Sequence, residues 1–201
     1  MTRVITVCIV LCASVSFAGP KTVEEFRIQV HGNAGHLAAW GIIPNVLADN
    51  GARTFFAGGA VFHFGDLKAT SGRVEVLPLA GFFGSEGLMA PAMNFRAWLN
   101  FHEGTKLYFE TVKAFRRRDP PKLSFEFSVV HPVPIDGLRW LSLGGITEII
   151  FKKPDDVLFY GIRGSMAFHK NVLFSGVAGL REVGDTREFL VRGIVQFYFG
   201  Q

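Results

Sequence analysis

Both cysteines of the chain, Cys8 and Cys12, fall within its first dozen residues, so everything after the leader is cysteine-free. A domain without disulfides must be held by its core and its hydrogen bonds, even in an oxidising compartment. Charge of one sign is lacking as well. With 21 basic and 17 acidic residues and a formal net charge of +4, spread along the chain, the balance is too even to argue for nucleic acid. No apolar run reaches the roughly 20 residues of a membrane-spanning helix, and no long amphipathic helical pattern is present. Low-complexity tracts and solenoid-like repeats are also missing. The glycine-bearing stretches "FAGGAVFHFG" and "GVAGLREVG" have no Walker lysine and no strand-to-helix transition, so phosphate cradling is not supported. No nucleophile and base fall into a catalytic pattern, and no catalytic, cofactor or metal site is expected.

What is present begins with "MTRVITVCIVLCASVSFAGP": one basic residue at Arg3, a short apolar run, then small residues Ser16 and Ala18. This pattern predicts a secretory signal peptide over residues 1–18. A lipoprotein signal is the alternative, but Val10 and Leu11 stand before Cys12 where lipidation sites want a small residue. Residues 19–201 suffice for a single domain with a large core.

Along that domain, runs rich in Phe, Val, Ile and Leu recur between clusters of Gly, Pro, Asp and Asn. Strands are expected near 24–31, 36–43, 53–64, 71–83, 92–102, 105–115, 122–131, 138–151, 156–168, 172–181 and 187–199. The second, "HLAAWGII", also reads as a short helix ended by Pro44. Short turns between consecutive strands make antiparallel hairpins, and a long meander of hairpins either stacks into a sandwich or closes into a barrel. Antiparallel closure requires an even count. The expectation is therefore all-β, a closed antiparallel up-and-down transmembrane β-barrel of about 10 strands, with 8 or 12 as neighbours.

The transmembrane reading comes from the two faces of each strand. In "NFRAWLNFH", Phe95, Ala97, Leu99 and Phe101 alternate with Asn94, Arg96, Trp98, Asn100 and His102. The same period sets Phe125 and Phe127 against Ser124, Glu126 and Ser128, and Ile162, Met166 and Phe168 against Arg163 and Ser165. A soluble barrel would alternate too, with the oily face inward. Lipid outside is favoured because the strands are longer than the five or six residues usual in soluble sheets, because the polar face is poor in charge, and because charges crowd into turns such as "RRRDPP" and "KKPDD". Two residues strain the pattern. Glu148 shares parity with Leu138 and Trp140, so a bulge at Gly144 and Gly145 is expected to turn it inward. Lys113, on the oily face, lies near a strand end and can snorkel.

The last strand, "EFLVRGIVQFYFGQ", resembles the C-terminal signal strand of bacterial outer-membrane β-barrel proteins, with Phe189, Val191, Gly193, Val195, Phe197 and Phe199 at its spacing. It departs from that pattern in carrying Gly200 and Gln201 after the closing aromatic. The resemblance implies an outer-membrane location in a diderm bacterium, with membrane lipids and the outer-membrane assembly machinery as partners; the periplasm is the alternative. The stretch "HGNAGH" is similar to the histidine motif of outer-membrane lipid A deacylases, but Asn33 stands where those enzymes have serine. His31 and His36 have no acidic or thiol ligand in their turn, and His63, His102, His131 and His169 fall at strand ends or turns.

Inside the barrel the alternation places Arg96, Glu110, Glu126, Arg139, Glu148, Arg163 and Arg192. Charges in a narrow low-dielectric lumen must pair and hydrogen-bond. Such a set either plugs the lumen or forms a porin-like constriction that selects ions; the plug is favoured because aqueous channels belong to barrels of sixteen or more strands. The functional expectation is a small outer-membrane barrel with a structural or minor-permeability role and no enzymatic activity. A soluble periplasmic barrel or sandwich binding an apolar ligand is the runner-up, and a membrane-embedded lipid-modifying enzyme is the third reading.

Overall fold

A computed structural model describes residues 21–43, 53–66, 70–83, 88–115, 123–138, 140–151 and 154–200. The leader, the "RRRDPP" turn and Arg139 lie outside the described residues. Eleven strands follow one another: β1 (Thr22–Ala34), β2 (Leu37–Ile43), β3 (Arg53–Asp66), β4 (Thr70–Phe83), β5 (Leu88–Phe101), β6 (Lys106–Ala114), β7 (Leu123–Pro132), β8 (Leu141–Phe151), β9 (Val157–His169), β10 (Val172–Val183) and β11 (Thr186–Phe199). Every consecutive pair is antiparallel, and the sheet closes on itself. "HLAAWGII" contributes a strand, because its residues from Leu37 on pair with β1 and β3.

The closing seam differs from expectation. β1 and β11 pair in parallel, from Thr22↔Phe189 to Gly32↔Phe199. An even count is needed only when the ends meet antiparallel, so parallel closure admits eleven strands. As a result β1 starts at the rim where β11 also starts, and both run to the opposite rim.

Tight turns follow from local chemistry. Gly35 (φ +62°) and Gly184 (φ +56°) take left-handed backbone in the two-residue β1–β2 and β10–β11 turns, a region that glycine enters without strain. The β3–β4 ladder lapses between Ala57↔Leu79 and Ala60↔Val76, beside Pro78, which has no N–H to donate. The bulge expected at Gly144 and Gly145 is absent, since β8 keeps an unbroken register with both β7 and β9. Glu148 reaches the interior because the strand begins only at Leu141. Leu138 and Trp140 belong to the preceding turn, where the Trp140 indole N–H donates to the Gly137 carbonyl at 2.6 Å, so their parity imposes nothing on the strand.

Apart from the seven-residue β2, the strands have nine to fourteen residues and, inclined by the 35–45° usual in barrels, span about 22–35 Å. Their outer face carries large apolar side chains open to the surroundings, among them Ile162 (70% exposed), Phe127 (47%), Met93 and Phe95. Aromatics sit at both rims: Phe101, Phe168 and Phe199 at one, Phe151 and Phe115 at the other. Adjacent outer rings make a stripe across β5 to β8, Phe95–Phe109–Phe125–Phe151, with centroids 6.1–6.3 Å apart. Lys113 sits one residue from the end of β6, at the margin of this surface.

The core is the lumen. Beneath β2 to β5 it is walled by Ala38, Ala57, Val61, Leu77 and Ala92. Beneath β8 to β11 it is walled by Ile146, Phe159, Val177, Leu190 and Ile194. Between these two apolar walls lies a polar layer that crosses the barrel.

Candidate functional site

The polar layer is assembled by the same period of two that makes the outside apolar. On β11, Leu190, Arg192, Ile194 and Gln196 are all buried, while the alternate positions Phe189, Val191, Gly193, Val195, Phe197 and Phe199 lie on the outer face. From β1, Glu25, Arg27, Gln29, His31 and Asn33 share the inward parity.

Two constellations result. The first joins β11, β1 and β8. Arg192 Nε donates to Glu25 Oε2 at 2.8 Å, and its Nη2 pairs with Glu148 Oε2 at 2.9 Å. Arg192 retains only 3% of its exposure, and its guanidinium lies 5.6 Å from the centroid of the Phe159 ring. Arg27 lies 3.1 Å from Glu25 and 4.0 Å from Glu148. Arg181 of β10 extends the chain, pairing with Glu25 at 3.3 Å and with Glu188. Three arginines and three carboxylates within a water-poor interior compensate one another where any one alone would be costly.

The second constellation joins β4, β5, β1 and β11. Glu75, 1% exposed, is shared by Arg96 at 2.8 Å and by Arg73. Arg96 Nη2 donates to His31 Nδ1 at 3.1 Å, which ties β5 to β1 across the lumen. Arg73 reaches Asn33 in the same way. His31 stacks on Tyr198, centroids 4.7 Å apart, and Gln196 Nε2 donates to Gln29 Oε1 at 2.7 Å. Arg96 lies 4.6 Å from the Trp98 ring centroid, so its charge is met by an aromatic face as well as a carboxylate.

The sequence-expected lumenal residues distribute as follows. Arg192 and Glu148 meet directly, and Arg163 Nη1 lies 3.5 Å from Glu126 while also donating to Ser128 Oγ at 3.2 Å. Arg96 is inward and pairs with Glu75, which was not among the expected set. Glu110 stands directly across the β5–β6 ladder from Arg96, and it accepts from the Tyr108 hydroxyl and from Asn94 Nδ2, both at 2.7 Å. Arg139 lies outside the described residues. Sequence reasoning missed Glu25, Arg27, His31, Arg73, Glu75, Arg181 and Glu188. The signal was there for β1, because in "EFRIQVHGN" every inward position is polar and Phe26, Ile28 and Val30 fill the others.

Of the remaining histidines, His36 is exposed in the β1–β2 turn and His131 meets Thr105 Oγ1 at 2.9 Å near the rim. Among the described residues no three His, Cys, Asp or Glu side chains are grouped to hold a metal ion.

Toward the rim that carries the β1–β2, β5–β6 and β9–β10 turns, the lumen widens into a cavity of about 990 Å³. Its walls include Trp98, Tyr108 and Tyr198, and Glu126, Ser128 and Arg163 lie at its inner part. The barrel is thus a cup at this end, with the Arg192 constellation beneath it. No family model matches this chain, and no curated protein or solved structure matches it.

Proposed function

We propose that the chain is an exported outer-membrane β-barrel whose lumen is held shut by its own ion pairs, serving as a structural wall protein of low permeability without enzymatic activity. Residues 1–18 are its cleaved signal peptide, and β11 is the strand that the assembly machinery reads. The observation that carries this reading is the inverted polarity of the barrel: Ile162, Phe127 and their neighbours are exposed, while Glu75, Arg96, Glu148 and Arg192 are buried. Soluble monomers rarely gather so many large apolar side chains on their exterior, and the arrangement is in keeping with the apolar band and aromatic girdles of membrane barrels. A soluble barrel binding an apolar ligand fits less well, because its oily face would have to be the inner one.

The test has two parts. The mature protein should remain with membranes after an alkaline wash and change its gel mobility on boiling; release by the wash would overturn the membrane assignment. In planar bilayers the purified barrel should give no steady current, and a stable ohmic conductance would overturn the closed lumen.

A further inference from the structure

The cup at the open end has a chemical character that a plug does not need. Among the described residues its lining carries Arg73, Arg96, Arg163, Lys106 and Lys170 against two carboxylates, Glu75 and Glu126. The two carboxylates are already committed: Glu75 is shared by Arg73 and Arg96, and Glu126 faces Arg163. Among the described residues no carboxylate of the lining is left for the two lysines, which stand exposed at the start of β6 and in the β9–β10 turn. Two guanidinium nitrogens of the lining, Arg73 Nε and Arg163 Nε, are buried without a hydrogen-bond partner among the described residues. A concave wall of low dielectric with an excess of one sign focuses its field into the cavity and concentrates counter-ions there.

The rest of the wall is aromatic. Trp98, Tyr108 and Tyr198 line the cup beside the arginines, presenting aromatic surface to a ring-bearing solute. The volume of about 990 Å³ falls at the upper end of the range for small-molecule sites, which combine apolar walls with a few convergent polar groups. We infer that the cup binds a small organic anion, its carboxylate or phosphate held by the lysine and arginine side chains and its ring laid against Trp98, Tyr108 or Tyr198. The two constellations beneath form the floor, so the solute enters and leaves by the same rim. The inference rests on the interior alone and does not require the barrel to sit in a membrane.

The experiment titrates the folded full-length barrel in detergent with phenyl phosphate, benzylammonium and inorganic phosphate, reading intrinsic fluorescence, since Trp98 and Trp140 both line the cavity. Phenyl phosphate should give a saturable change with a Kd below about 1 mM, inorganic phosphate should bind more weakly for want of a ring, and benzylammonium should give no saturable change. A Lys106→Gln/Lys170→Gln variant, altered only at exposed positions, should fold as wild type and bind phenyl phosphate about fivefold or more weaker, as expected for two lost exposed charge contacts. Binding of benzylammonium as tight as phenyl phosphate would overturn the proposal, as would a non-saturating phenyl phosphate response or an unchanged Kd in the double variant. The readout is independent of conductance, so a barrel that proves to conduct can still bind, and a closed one can fail to.

Discussion

Replacing Arg192 by methionine keeps most of the side-chain volume and removes the charge at the point where β11, β1 and β8 meet. In the native barrel the guanidinium lies 2.8 Å from Glu25 and 2.9 Å from Glu148. Without it, Glu25 keeps Arg27 at 3.1 Å and Arg181 at 3.3 Å, but Glu148 keeps, among the described residues, Arg27 at 4.0 Å. The Glu148 side chain has 11% of its surface exposed, so water does little to replace the lost partner. Removing one member of a buried pair typically destabilises by about 3–5 kcal/mol; the surviving partners of Glu25 place Arg192→Met toward the lower end. Glu148→Gln alone should cost less, because Arg192 still holds Glu25. If the charges act as a unit, the double variant should recover part of the loss, with a coupling of about 1–3 kcal/mol. The assay is reversible urea unfolding of the barrel in detergent micelles or lipid vesicles, comparing midpoints at constant slope. A loss under about 1 kcal/mol for Arg192→Met, together with strictly additive single and double variants, would mean that the layer is solvated and holds nothing shut.

Arg163→Ala and Glu126→Ala, made singly and together, should be milder, about 1–2 kcal/mol each, because their pair is longer at 3.5 Å and borders the cavity; a cost equal to that of Arg192→Met in the same urea series would contradict this gradient. Phe127→Arg puts a cation on the outer face and should block insertion into vesicles, at about 2–4 kcal/mol near the midplane; normal insertion would show that this face does not meet lipid. Gly144→Ala should destabilise by about 1–3 kcal/mol, since a Cβ there would run into the Val129 carbonyl oxygen, whereas Gly176→Ala meets nothing within 4 Å and should be neutral. Equal unfolding midpoints for the two alanine variants would refute the close approach of β7 and β8.

Alternation is a local property of the chain, and it was legible without any structure. The period of two in 94–102, 123–129, 157–168 and 189–199 determined that these segments are strands and which of their side chains share a face. That was enough to put Arg96, Glu126, Arg163 and Arg192 on the side opposite the phenylalanines, whereas Glu148 needed the true start of β8 at Leu141 to be placed. It was not enough to name their partners. Glu25 and Arg192 are separated by 167 residues and His31 and Arg96 by 65, and they meet only because the sheet closes. Local pattern carries no term for closure, because the register of the seam is set by the stagger accumulated around the whole barrel. The strand count illustrates this most directly. Eleven hydrophobic runs are present in the sequence, but whether the first and last pair antiparallel or in parallel depends on how they face one another after ten other pairings, and tertiary structure alone decided for parallel. The cup has the same origin. Arg73, Lys106, Arg163 and Lys170 come from four separate strands or turns, and their common cavity exists because inclined strands bring different sequence positions to one height of the barrel.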